Sequence, residues 1–490
     1  MRFYALGRPW RIAIIACLTF LCLVSFNLTL SRNFHSSPAD INLFSSVQRS
    51  DRLLTQELLH ILEDDVRRHY DQNTLDLSEI KPYAQKFTAL WNMHLQRNDL
   101  SSDDSLKQTI SNIGSILYPW LTAGSSNSFM DFLESTFTRE RGIVITSGRQ
   151  QFRLCLHLVY SLRTILNTDL PIEIMYGGDD DLTVQERNLL ANAGHDIRFV
   201  DVKKILVDPD NLIELPGSFA IKTFSMLVSS FRQVLLIDAD GVFLQDPKVI
   251  FENKQYKDTG TLFFHDRIFS GTTDEAIALA KKWLKNTKYY NEIIKDSLFF
   301  DRKTGHEMES GVVLIDKLRT LSGLLLTCHM NLKRQREQVT TPHFYGDKET
   351  FWLGYGMSET RFQFTEGYAG GIGRYRINST THICTLQLLH FDESRDPLWI
   401  NNSLLDFKLA NDDVYARFEA WDYGAEPSSW TPDDDCGYPN EYQYGTPTRN
   451  ITPVNTEIKG LLDKMTHLAK ELDLKAVELG LISINHKQVD

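Results

Sequence analysis

The chain has 490 residues, of which 42% are hydrophobic and 24% charged, with a formal net charge of −12. That length accommodates one large domain with appendages. The acidic balance argues against a nucleic-acid partner, which needs a basic face, and leaves a membrane-attached or soluble domain open.

Residues 1–11 carry Arg2, Arg8 and Arg11 and no acid, and residues 12–30 carry no charge at all. A helix crosses a bilayer core with about 20 apolar residues, and flanking positive charge stays in the cytosol. The expectation is a cytosolic tail (1–11), an uncleaved signal anchor (12–30) and a type II orientation with the remaining chain in a lumen. A cleaved signal peptide is the alternative. The serine-rich segment 31–50 reads as a stem. In 51–138 apolar residues recur at helical spacing, as in Leu54, Leu58, Ile61, Leu62 and Val66. They predict a helical neck that packs on the main domain or joins another copy or partner in an oligomer. Of six cysteines, Cys17 and Cys22 fall in the apolar segment. Cys155, Cys328, Cys384 and Cys436 remain, with three possible pairings, or four buried thiols. Asn378, Asn401 and Asn450 begin glycosylation sequons that a lumen would use.

From Arg141 the texture changes. GIVITSGR, PIEIMYGG, HDIRFVDV and VLLIDAD are short strand-like runs, separated by helix-like stretches at 154–166, 182–194 and 222–231. That alternation predicts an α/β domain with a mixed, mostly parallel sheet and flanking helices, whose ligand sits at the carboxyl ends of strands. The last forty residues, with LLDKMTHLAKELDLKAVELGL, read as a packing helix.

The strand-like run VLLI ends in Asp238-Ala239-Asp240. Carboxylates at i and i+2 share one side of a strand, and like charges so close need a shared proton or cation. A hard divalent ion takes carboxylate oxygen and keeps positions open for phosphate. Two chemistries use such a pair. One is metal-dependent glycosyl transfer. The other is phosphohydrolysis of the haloacid-dehalogenase type, with Asp238 as nucleophile and Asp240 as general acid. A non-catalytic glycan-binding or scaffold protein is the third option. The surroundings favour the first: Lys222 on a preceding helix, ESGVVLID at 309–316, Asp347 and Glu349 in GDKETFW, and His390 in LLHFDESRDPLW.

That ordered set, over about 141–399, resembles GT-A glycosyltransferases. It is similar to the retaining family 8 pattern and closer to the fungal Golgi α-1,3-mannosyltransferases of family 71. The resemblance implies a GT-A catalytic domain at 139–440 with a C-terminal extension at 441–490. It further implies a Golgi membrane enzyme that retains configuration while moving mannose from GDP-mannose to a mannose-ended glycan. By the same resemblance Asp238 and Asp240 hold Mn²⁺ or another divalent ion with His390 as third ligand, and imidazole suits Mn²⁺ better than Mg²⁺. Lys222 reaches the donor; Thr146, Ser147, Arg149 and Ala239 contact the nucleotide sugar. Asp347 and Glu349 form the acidic segment beside the donor sugar, with no choice made between them. One departure stands out. Asp396 occupies the place of the family 8 diphosphate lysine, and Leu398 is inserted before Trp399, so Arg395 is the expected substitute. His265 and Asp266 either face the acceptor or lie in a plain loop. Phe351, Trp352, Tyr355, Phe362, Phe364, Tyr368 and Tyr375 form either an acceptor platform or an aromatic core.

Overall fold

In strand β1 (Arg139–Thr146) every residue from Gly142 onward is buried. It therefore reads as an unbroken apolar run, as strands covered on both faces do. The same holds for β2 (Ile172–Tyr176) and for the centre of β4 (Phe231–Asp238), whereas β3 (Ile197–Asp201) is only partly covered. The computed structural model describes residues 56–96, 104–123, 127–424 without 209, 215–218, 270 and 296, then 430, 436, 445–447 and 451–485. Its main sheet has the order β3-β2-β1-β4-β7-β6, with β6 at Thr261–His265 and β7 at Met308–Asp316. β1 pairs in parallel with β2 and β4, and β2 with β3; β7 runs antiparallel between β4 and β6. This is the mixed, mostly parallel sheet that the alternating pattern predicts.

Register positions the site. Thr146 lies opposite both Met175 and Asp238, so β1 and β4 finish level. The chain leaves β1 to build β2 and β3 on one side, then crosses to β4 on the other. Such a reversal of strand order opens a crevice beyond the strand ends, where α/β sheets bind ligands.

Just past Asp240 the chain enters β5 (Val242–Phe243), the edge of a second sheet of order β13-β9-β8-β10-β11-β5. Its other members are β8 (Gly370–Tyr375), β9 (His382–Cys384), β10 (Leu388–Phe391), β11 (Pro397–Asn401) and β13 (Gly445–Pro447), while β12 (Ala420–Trp421) pairs alongside β8. This antiparallel sheet is absent from the sequence reading. Its strands are short, and the glycines of β8 mimic a turn.

The N-terminal helices, 56–69, Leu77–Gln96, Asp104–Leu117 and Phe129–Ser135, pack on the main domain. Trp91 Nε1 donates to Leu318 O at 2.8 Å and Thr88 Oγ1 to Ser358 O at 2.7 Å. The last of them starts in a capping box between Ser128 and Asp131. At the other end Asn455 caps the helix Thr456–Glu478, whose Leu462, Met465, Ala469, Leu472 and Ala476 are buried. Asp473 is buried with them and accepts from Arg153 Nε at 3.0 Å, from the Tyr415 hydroxyl, and lies 2.8 Å from His157 Nε2. The C-terminal helix is thus a packing helix clamped to the Phe152–Tyr160 helix.

Cys384 and Cys436 form a disulfide, while Cys155 and Cys328 are buried free thiols. The expected anchor, the stem and Asn450 lie outside the described residues. Among the described residues no helix is long and apolar enough to cross a membrane. Asn378 is exposed in a turn with φ of 59°. Asn401 is only half-buried, but Ser403 of its sequon is buried, so of these two Asn378 is the one presented to solvent.

Asp473→Ala leaves Arg153 as a buried unpaired cation and should cost about 3–5 kcal/mol of stability, read from the urea midpoint. Burial opposes the Asp473 charge, but His157 and Arg153 hold its pKa down to about 2. The wild type should therefore lose this contribution as pH falls from about 4 towards 2, and the variant should not.

Candidate active site

Asp238 ends β4, and a turn closed by Gly241 N donating to Asp238 O at 2.9 Å carries Asp240. Ser403 N donates to Asp240 O at 2.8 Å and fixes that turn from the loop after β11. The helix Ile221–Val228 brings Lys222 to the pair: its Nζ lies 2.8 Å from Asp238 Oδ2, 3.2 Å from Ser310 Oγ and 3.7 Å from Asp347 Oδ1. Lys408, in the loop that also supplies Ser403, makes an ion pair with Asp240. Asp347 stands at the N-terminal boundary of the helix Lys348–Met357, without a side-chain capping bond. Its Oδ1 accepts from Ser310 Oγ at 3.4 Å.

Three carboxylates, Asp238, Asp240 and Asp347, thus share two ammonium groups, and the surplus is one negative charge. Burial first, and then the neighbouring Asp240 charge, push Asp238 up to about 7 although Lys222 pulls the other way. Burial also opposes the Asp240 charge, but Lys408 holds it below the usual carboxylate range. Lys222 is held above its ordinary value against burial by Asp238 and Asp347. Asp238 Oδ1 and Asp347 Oδ2 are buried and without a hydrogen-bond partner. Unsatisfied buried oxygens of this kind are costly, and a divalent ion with phosphate ligands satisfies them. The donor set fits such an ion.

His390 does not join that group. It stacks on Trp399 with ring centroids 4.0 Å apart and planes 8° from parallel, edge-on to Phe264 at 5.4 Å. Among the described residues no three His, Cys, Asp or Glu side chains are arranged to hold a metal. The physical reason lies in the second sheet: β10 is separated from β5 by β11, and the stacking slot takes the imidazole. Its Nε2 is nonetheless buried and unpartnered, and burial lowers its pKa to about 3, so the ring is neutral.

The other predicted positions separate in the same way. Thr146 is level with Asp238 and buried, as are Ser147 and Ala239. Arg149 is exposed on the same loop. A Cβ on Gly148 would meet Asp181 Oδ1 at 2.2 Å, and Asp181 Oδ2 accepts from Gly177 N at 2.8 Å. Asp181, which reads as a solvated turn residue, therefore braces the ends of β1 and β2. Glu349 is fully buried and accepts from Glu307 N at 3.1 Å and from Trp352 Nε1. It brackets the start of β7, whereas Asp347 keeps a free oxygen in the charged group.

Arg395 is exposed over the Tyr423 ring at 5.1 Å, in the turn from Asp392 to Asp396. Lys408, 168 residues from Asp240 in sequence, is a second cation at the carboxylate pair. No motif points to it, because a lone lysine in a polar loop has the sequence signature of a solvated one. The aromatic segment resolves mostly into core: Phe351, Trp352 and Tyr355 are buried, with Phe351, Tyr355, Phe362 and Phe364 packed around Phe263. Asp266, in the loop after β6, is buried and makes a 2.7 Å ion pair with Lys348, and His265, which ends β6, is sandwiched between Phe364 and Tyr368.

The family described as "Mannosyltransferase putative" matches residues 140–392, just over half of the chain. The chain is 31% identical to a Candida albicans protein named "Putative alpha-1,3-mannosyltransferase MNN14", over 53% of this chain and 42% of that protein. It is 24% identical to the alpha-1,3-mannosyltransferase MNN1 of Saccharomyces cerevisiae, over 53% of this chain and 40% of that protein. The matched part spans about two fifths of the length of these relatives. A solved structure of the S. cerevisiae mannosyltransferase Ktr4p is similar over 63% of this chain and 84% of its own, at 11% identity and a TM-score of 0.32.

Burial pushes the Glu349 carboxyl up to about 8. The folded state then binds a proton that the unfolded chain has released, and stability should fall as pH rises from about 4.5 to 8, with a limiting slope of about 1.4 kcal/mol per pH unit. Glu349→Gln should flatten that slope in urea denaturation measured across the window.

Proposed function

The chain belongs to this mannosyltransferase family, and we propose that it is a retaining α-1,3-mannosyltransferase that moves mannose from GDP-mannose to a mannose-ended glycan. The observation that carries the reading is the Asp238–Asp240 pair at the strand-order reversal, Asp240 buried and Asp238 half-buried, with one lysine on each carboxylate and Asp347 beside them. The names of the relatives support the linkage and the sugar. The basic and then uncharged N-terminal thirty residues support a Golgi type II anchor with the catalytic domain in the lumen.

Asp238 and Asp240 would hold the divalent ion, with the free Nε2 of His390 the remaining donor that the motif supplies. When bound, such an ion offsets charge that builds on a leaving diphosphate. The protein groups do the rest. The C1–O bond to the β-phosphate breaks and a bond from C1 to the acceptor O3 forms on the same face, with the acceptor proton passing to the departing diphosphate oxygen. Lys222 and Lys408 provide fixed positive charge where that diphosphate develops its own. Asp347 is the carboxylate available beside the sugar. Glu349 acts through the backbone it brackets. Thr146, Ser147 and Ala239 line the nucleotide side.

The test follows GDP release by the purified full-length chain with GDP-mannose, Mn²⁺ and a mannobiose acceptor. Acceptor-stimulated release that EDTA abolishes is expected. Asp240→Asn should lower it by about 10²–10³-fold, the range for losing one electrostatic contact to the transition state. Release only from a UDP-sugar would overturn the donor. Release of phosphate from a generic phosphomonoester, persisting with Asp240→Asn at reduced rate, would overturn the transferase reading in favour of Asp238 as nucleophile.

A further inference from the structure

Beside the charged group lies a cleft of about 650 Å³ whose lining includes Phe219, His306, Arg336, Phe344, Tyr345 and Gly346. Its size falls within the range of about 300–1,000 Å³ typical of small-ligand sites. Two of its aromatics are not spent on the core. Phe219 is 54% exposed and Tyr345 63% exposed, and their rings stand 6.1 Å apart at 47°. A single exposed apolar side chain is unremarkable, but a pair at the rim of a cleft is the signature of a binding surface.

The same two segments build the reaction centre. Phe219 precedes Lys222 by three residues, and its ring is 5.8 Å from Lys222 Nζ. Tyr345 precedes Lys348 by three residues, and its ring is 5.6 Å from Lys348 Nζ. Between Tyr345 and Asp347 stands Gly346 with φ of +64°, where a Cβ would also press the Phe219 ring at 3.3 Å. This glycine allows the turn that brings the aromatic wall and Asp347 together. Deeper in, His306 lies between the rings of Phe269 and Tyr345, at 5.1 and 5.9 Å. Its Nδ1 is 3.7 Å from Glu349 Oε1.

We propose that this cleft is the acceptor subsite, with Phe219 and Tyr345 as platforms for the pyranose rings at the end of a neutral hexose chain. The inference rests on the glycosyltransferase reading above. A pyranose has an apolar C–H face, which an aromatic ring covers, and a rim of hydroxyls, which need donors and acceptors. A neutral imidazole such as His306 offers one of each. The cations of the cleft face an equal number of carboxylates: Glu214 pairs with Lys333 at 2.8 Å and with Arg336 at 3.4 Å, and the Glu337 charge acts on both as well. No cation is left over in that group of four to select an anionic sugar, so a neutral glycan end is favoured over a phosphorylated or acidic one. The contacts of Phe219 with Lys222, and the adjacency of Gly346 to Asp347, place such a chain end next to the donor.

Two measurements on the full-length protein test this. The first is saturation-transfer NMR of mannobiose with the protein in the presence of GDP and Mn²⁺, for the wild type and for Phe219→Ala and Tyr345→Ala. The second is a kinetic titration of mannobiose at fixed GDP-mannose. Both side chains are largely exposed, so truncation should leave the core intact, and calorimetric GDP binding by each variant checks that. The expected result is loss of the mannobiose signal and at least a tenfold rise in acceptor KM, with kcat falling less, and recovery with Tyr345→Trp. If the wild type consumes no GDP-mannose, the mannosyltransferase reading fails and the NMR arm alone decides the cleft. Mannobiose binding that is unchanged by both truncations, or that is absent from the wild type, overturns the proposal. A sulfated or phosphorylated hexose bound more tightly than mannobiose would overturn its neutral character.

Discussion

Two negative charges one residue apart, at the buried end of a strand, are the constraint from which this structure follows. Neither Asp238 nor Asp240 can stay ionised in such a place without a cation, because desolvation disfavours the charge and each raises the other. The fold answers with Lys222 from the helix before β4 and Lys408 from the loop after β11. Lys222 is buried and would be costly if left alone, whereas Lys408 is partly exposed. The ion pairs therefore fasten two distant parts of the chain to one strand end. The main sheet supplies Lys222, and the second sheet, through β5 and β11, supplies Lys408.

The balance is incomplete, and that incompleteness is the functional point. With Asp347 included, the acids outnumber the lysines, and two carboxylate oxygens are left without partners. A structure stabilised only for itself would have paired them. The surplus charge and the free oxygens make the site receptive to a divalent ion and a diphosphate together, with the lysines already in place beside them. The elements farthest from the site serve this by rigidity. The N-terminal helices back the helix that begins at Asp347 and its neighbour Lys317–Met330, and the C-terminal helix holds the Phe152–Tyr160 helix through Asp473. A charged group of this kind must be held to within a fraction of an ångström to act on a transition state.

Much of the main sheet was legible because buried parallel strands write long apolar runs, as GIVIT and VLLI do, and because strand ends that carry carboxylates are rare enough to notice. Motif order brought Lys222 and Asp347 to the site, but it assigned Lys222 to the donor rather than to Asp238 and did not separate Asp347 from Glu349. The second sheet was not legible. Its strands are short, and the glycines of β8 let the chains approach closely while reading locally as a turn. Lys408 was hidden because its role is set by tertiary approach across 168 residues. His390 sits apart from the charged group. The motif named it as a ligand, and the structure stacks it on Trp399, nine residues away in sequence and directly opposite on β11. Phe219 and Tyr345 carried no signal of their own, because only the folded chain shows that they are exposed at one rim.

The most direct test of this account is the coupling between cation and nucleotide at the carboxylate pair. Calorimetric titration of GDP into the full-length protein, with Mn²⁺ and then with EDTA, measures it. If Asp238 and Asp240 hold a cation that shares the diphosphate, GDP should bind at least about tenfold more tightly with Mn²⁺, a difference of about 1.4 kcal/mol. Equal affinity with and without the ion would mean that the two lysines already complete the site, and would contradict the account.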